Sequence, residues 1–179
     1  MTVTVGPPMG AFDQCFQILL GHEGGYVDHK SDPGGRTRYG ISQRSYPGED
    51  IRNLTVERAK SLYRRDYWDK CRCDDLPAPL ALLVFDAAVN CGPGRSVKWL
   101  QKTVGVSQDG AIGPGTIAAT ERAWASRGAA ALCVEVLVTR LMHHVALATW
   151  TTFGLGWARR ILSLPFAAVQ MTMEPPHGV

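Results

Sequence analysis

Between Pro79 and Asn90 the chain runs Leu-Ala-Leu-Leu-Val-Phe-Asp-Ala-Ala-Val, apolar almost without interruption. Proline is pre-set for a first helical turn, so this stretch predicts a helix over Leu80–Val89. A helix apolar on all sides must be surrounded by other elements. The chain is therefore expected to wrap a central helix, and 179 residues suffice for one core, as one domain or a domain with a helical extension. Asp86 and Asn90 fall four apart on one face of that helix. They read either as a paired buried couple that organises a neighbouring hairpin or as a contact to a ligand.

Other helices follow from spacing. Phe12, Cys15, Phe16, Leu19 and Leu20 recur with helical period over residues 11–22, and Gly24-Gly25 is a stop signal. Thr55 is placed to cap a helix starting at Val56, with Glu57 in its first turn and Val56, Ala59, Tyr63 and Tyr67 on its apolar face. Trp99, Leu100 and Val104 open a C-terminal helical set, and Asp109-Gly110 and Gly113-Pro114 form a turn before a helix over Thr116–Ser126. The apolar run Ala129–Trp150 contains Glu135, Arg140, His143 and His144, so it reads as a packed helix and not a membrane span, with the histidines structural.

Residues 26–42 read as a small antiparallel hairpin. Tyr26 and Val27 begin one arm, Tyr39-Gly40-Ile41-Ser42 forms the other, and Ser31-Asp32-Pro33-Gly34-Gly35 supplies the turn. Glu23 stands at the end of the first helix, Asp32 nine residues on, and Thr37 five beyond that. Hydrolysis of a glycosidic bond needs one carboxylic acid to protonate the leaving oxygen and a second polar group to hold water. Apolar neighbours around Glu23 would raise its pKa, as a general acid requires. A His-Glu-x-x-His zinc helix is ruled out because Tyr26 stands where the second histidine would be.

These residues resemble a known family. His22-Glu23-Gly24-Gly25-Tyr26, Asp32-Pro33-Gly34-Gly35, Thr37 and Tyr39-Gly40-Ile41-Ser42 look like the signature of glycoside hydrolase family 108, phage and prophage endolysins with N-acetylmuramidase activity. The resemblance continues through Tyr63-Arg64-Arg65-Asp66-Tyr67-Trp68, the run from Phe85 to Gly94, and Val97-Lys98-Trp99-Leu100-Gln101. Asp109-Gly110-Ala111-Ile112-Gly113-Pro114 resembles the start of the family's C-terminal peptidoglycan-binding type region. Arg36, Gly115, Ala158 and Arg159 depart from the pattern.

The resemblance implies an α+β fold, predominantly helical and lysozyme-like, with a small hairpin beside a cleft. It divides the chain into a flexible N-terminus (1–10), a catalytic region (11–95), a C-terminal helical region of peptidoglycan-binding type (96–168) and a flexible tail (169–179). The implied reaction is hydrolysis of the β-1,4 bond between N-acetylmuramic acid and N-acetylglucosamine, with bacterial lysis as its result. Glu23 is expected to protonate the glycosidic oxygen, and Asp32 and Thr37 to orient or activate water. Tyr39, Tyr67, Trp68 and Asn90 are the candidates for binding sugar. No metal or organic cofactor is called for. Rival readings are a lytic transglycosylase on the same fold and a non-catalytic wall-binding or secretion-helper protein.

Composition adds limits. Residues 1–99 carry 13 basic and 12 acidic groups and residues 100–179 carry 6 and 4, so no basic tract marks a nucleic-acid partner. Cys15, Cys71, Cys73, Cys91 and Cys133 have no zinc-type spacing and read as free thiols of a reducing compartment, with a redox pair at Cys71 and Cys73 the alternative. Residues 1–10 lack the charge and apolar core of a signal peptide. The expectation is a monomer without stable membrane insertion, held in the host bacterial cytoplasm until a holin releases it to the wall.

Overall fold

The computed structural model describes residues 9–22 and 36–173. Its helices are α1 (Ala11–His22), α2 (Val56–Tyr63), α3 (Ala78–Cys91), α4 (Pro93–Val104), α5 (Pro114–Arg127), α6 (Ala129–Val145) and α7 (Trp150–Met173). A single two-stranded antiparallel sheet pairs β1 (Thr37–Arg38) with β2 (Ile41–Ser42) among the described residues. The chain is thus predominantly helical with a small hairpin, as its periodicity predicts.

Helix α3 is the centre. Every residue from Leu80 to Ala88 is buried, and the helix packs against α1, α4, α6 and α7. Its α1 side meets an aromatic cluster. Phe12 and Phe85 each make an edge-to-face pair with Trp68, with ring centroids 5.2 and 5.4 Å apart. Phe16 meets Tyr63 at 5.6 Å. The two edge-to-face pairs of Trp68 add about 0.5–1.5 kcal/mol each beyond area burial.

Local chemistry sets the element ends. Thr55 Oγ1 accepts the Arg58 amide at 3.2 Å and starts α2. Helix α4 begins with Pro93 and stops at Gly105, whose φ of 75° continues no right-handed helix. The Asp109-Gly110 turn is held from behind by buried Gln101. Its Nε2 donates to Asp109 Oδ1 at 2.7 Å and to Ala111 O at 3.0 Å, while its Oε1 accepts Gly110 N at 2.9 Å. The backbone amide of Ala111 and the Gln101 side chain together hold the Asp109 carboxyl below its ordinary range.

Two expectations need correction. The turn between the described strands is Tyr39-Gly40, at φ 52° and 73°, so these residues do not form an arm. Positive φ at both central positions is what a two-residue turn with the twist of a hairpin demands. The Tyr26–Val27 arm and the Asp32–Gly35 turn lie outside the described residues. Helix α7 also runs to Met173, beyond the 168/169 boundary drawn for a flexible tail.

Candidate active site

The hairpin is small, so its position depends on what holds it. Ile41 is buried and pins β2 to the core. The Tyr63 hydroxyl at the end of α2 donates to Tyr39 O at 2.9 Å, and Arg38 Nη1 donates to Arg52 O at 2.7 Å. The first bond ties the turn of the hairpin to α2, and the second ties β1 to the turn over Ile51–Asn53 that precedes α2. Thr37 lies on β1, half-buried and paired in register with Ser42. Glu23 and Asp32 lie outside the described residues. Glu23 is the residue that follows the last residue of α1 in sequence.

After α2 the chain makes one wide turn over Arg64–Trp68, closed by Asp69 N donating to Arg64 O five residues back, at 2.8 Å. The extra residue changes which side chains face inward. Trp68 becomes fully buried, its indole donating to Asp74 Oδ1 at 2.9 Å. This corrects Trp68 as a sugar-stacking candidate: it is fully buried, and its ring packs against Phe12 and Phe85. Tyr67 stays half-buried, 5.6 Å from the Tyr63 ring. Tyr39 and Tyr67 thus both meet Tyr63, on the hairpin side of α2. Tyr46 adds to this group. Its hydroxyl donates to Asp66 Oδ2 at 3.0 Å, and burial followed by its bond to Tyr67 pushes its pKa up. The Arg65 guanidinium beside Asp66 holds that carboxyl below the usual range. Tyr46 and Tyr63 were missed as site residues because nothing in their local sequence reports the hairpin they support.

Asn90 stands elsewhere. Its Nδ2 donates to Asp86 O at 2.7 Å, one turn back on α3. Asp86 itself is 1% exposed and is held by two arginines of distant helices. Arg140 Nη1 of α6 reaches Asp86 Oδ2 at 2.6 Å, and Arg160 Nε of α7 reaches Oδ1 at 2.9 Å. The pair is therefore structural, but it joins α3 to the C-terminal helices and not to the hairpin. Asn90 lines a cavity of about 510 Å³ with Gly156, Trp157, Arg159, Arg160 and Ser163.

The histidines are packed as expected. His144 lies 5.0 Å edge-on from Trp157 and 6.0 Å from Trp99. Burial and then the neighbouring Arg140 push its pKa down. All five cysteines are free. Cys71 and Cys73 are both buried, and burial pushes the Cys73 thiol well up, against a thiolate redox role.

Comparison with known proteins places these features. Residues 16–92 match the family described as Glycosyl hydrolase 108, and residues 95–162 match a "Predicted Peptidoglycan domain". The structure of SagA from Brucella abortus superposes with a TM-score of 0.79 at 37% identity, over 93% of this chain and 98% of that one. No curated protein matches the chain. Fold and matches together define a glycoside hydrolase of lysozyme-like α+β fold that acts on peptidoglycan. The chain belongs to the glycosyl hydrolase 108 family, whose members are N-acetylmuramidases.

Proposed function

We propose that Glu23 is the general acid of this muramidase, and that Asp32 and Thr37 hold the attacking water. The observation that carries this reading is the pair of elements that flank Glu23 and Asp32 in sequence. Helix α1 ends at the residue before Glu23, and Thr37 sits on a strand whose turn is bonded to α2. In the proposed mechanism Glu23 gives its proton to the glycosidic oxygen as the bond to muramic acid C1 breaks. Asp32 takes a proton from water on the opposite face of the sugar, and Thr37 orients that water. Tyr39 and Tyr67 would contact the glycan, a reading supported by the part of each surface that stays open.

Such a reaction inverts the anomeric centre, with carboxyls about 6.5–9.5 Å apart to admit the water. Proton NMR of freshly released ends tests it. An initial α-anomer of the reducing muramic acid supports the assignment. An initial β-anomer points to direct attack by Asp32 and refutes the water-holding role. Anhydro-muramic ends, identified by mass, would instead mean a lytic transglycosylase, and no release would mean a binding module.

The biological setting is part of the same proposal: a phage or prophage endolysin, bacteriolytic and monomeric, waiting in the host cytoplasm until a holin opens the way to the wall. Catalytic and wall-binding regions would divide near residues 95 and 96. Among the described residues no helix is long and apolar enough to cross a membrane.

A further inference from the structure

The cavity at the end of α3 is built by both matched regions of the chain. Asn90 comes from the hydrolase part, and Gly156, Trp157, Arg159 and Arg160 come from the peptidoglycan-domain part. Beneath it the guanidiniums of Arg140 and Arg160 both hold the Asp86 carboxylate. At its edge Arg159 is exposed and forms no ion pair among the described residues. The remaining polar groups suit an amide. Asn90 spends its NH2 group on Asp86, so its Oδ1 is left to accept an N–H. Ser163 gives its proton to Arg160 O at 2.8 Å and keeps its lone pairs. Trp157 is fixed by Phe153 at 5.8 Å and His144 at 5.0 Å, and supplies an apolar wall.

A neutral glycan chain offers a guanidinium only uncharged oxygens. The stem peptide on muramic acid offers it a charge-assisted bond, because it carries free carboxylates between amide groups. We infer that this cavity binds the anionic stem peptide, with Arg159 meeting a stem carboxylate, Asn90 Oδ1 accepting a stem amide, and Trp157 packing on the peptide between them. A volume near 510 Å³ is within the ~300–1,000 Å³ of sites that enclose small ligands. The site would recognise wall that still carries its peptides and would hold it across the two regions. The inference rests on peptidoglycan being the substrate, and not on the roles given to Glu23, Asp32 and Thr37.

Isothermal titration of the full chain with N-acetylmuramyl tripeptide tests it, using the free-carboxylate form and the fully amidated form. Arg159 is exposed, so Arg159→Ala leaves the fold intact; Arg122→Ala, on α5 away from the cavity, is the charge-matched control. The wild type should bind the free form at least about tenfold tighter than the amidated form, as a charge-assisted bond implies. Arg159→Ala should remove that difference, Arg159→Lys should keep part of it, and Arg122→Ala should keep all of it. Equal affinity for the two forms overturns the inference, as does an unchanged Arg159→Ala, no binding by the wild type, or competition by inorganic phosphate as strong as by the peptide. Because binding is read without turnover, loss of hydrolysis in a Glu23 variant would leave this result standing.

Discussion

Removing the Asp86 carboxylate should be among the most damaging single changes in the protein. Asp86 is 1% exposed, and the side chains of Arg140 and Arg160 are 3% and 17% exposed. In Asp86→Ala, Arg140 stays inside the fold with no counter-charge. Breaking a buried pair by deleting one partner costs about 3–5 kcal/mol, because desolvation of the survivor is no longer offset. For a chain of this size each kcal/mol lowers Tm by about 2–4 °C, so the drop should be roughly 6–20 °C. Urea unfolding followed by the fluorescence of the five tryptophans gives the free energy directly. A double-mutant cycle isolates the pair. Asp86→Leu with Arg140→Met should be more stable than Asp86→Leu alone, because two apolar side chains replace two charges. An Asp86→Ala cost under about 1 kcal/mol, or single costs that simply add, would refute the claim that this carboxylate ties α3 to α6 and α7.

Two further outcomes follow from the packing. His144 is buried with its pKa pushed below the ordinary 6.5, so the unfolded chain binds the proton more readily. Stability from this group is present above that value and lost as pH falls towards the folded pKa; His144→Gln should flatten that acid limb in a pH series of urea midpoints, and an unchanged limb would assign it elsewhere. Gly110 has φ 84°, and an added Cβ would lie 3.1 Å from Gly94 O. Gly110→Ala should therefore cost more than about 1 kcal/mol in the same assay, and a neutral result would contradict the tight turn over Gln101.

Local signals carried much of the fold. The apolar run of α3, the period of α1 and the Thr55 cap of α2 each needed only a few neighbouring residues, and each element forms where those residues place it. The hairpin was harder. Tyrosine is a poor marker for a positive φ, so the local sequence of Tyr39-Gly40 carries a strand signal where the structure has a turn. One wide turn after Tyr63 moved Trp68 from a candidate glycan contact into the core, and a constant helical period carries no trace of such an insertion. Asp86 illustrates the limit of distance. Its burial was legible from the helix around it, but Arg140 and Arg160 lie 54 and 74 residues away. The requirement that a buried charge be paired was the available clue, with Arg140 conspicuous in an apolar run. Glu23, Asp32 and Thr37 were legible as a motif, and of the three only Thr37 falls within the described residues.

Glu23 is the proposed proton donor. Glu23→Gln keeps the shape of the side chain and removes the proton, so its rate on purified peptidoglycan, read as new reducing muramic acid ends, measures that role. General acid catalysis contributes roughly a hundred- to ten-thousand-fold, and the folded variant should fall by at least that lower figure. A folded Glu23→Gln protein that keeps more than about a tenth of the wild-type rate would contradict the assignment.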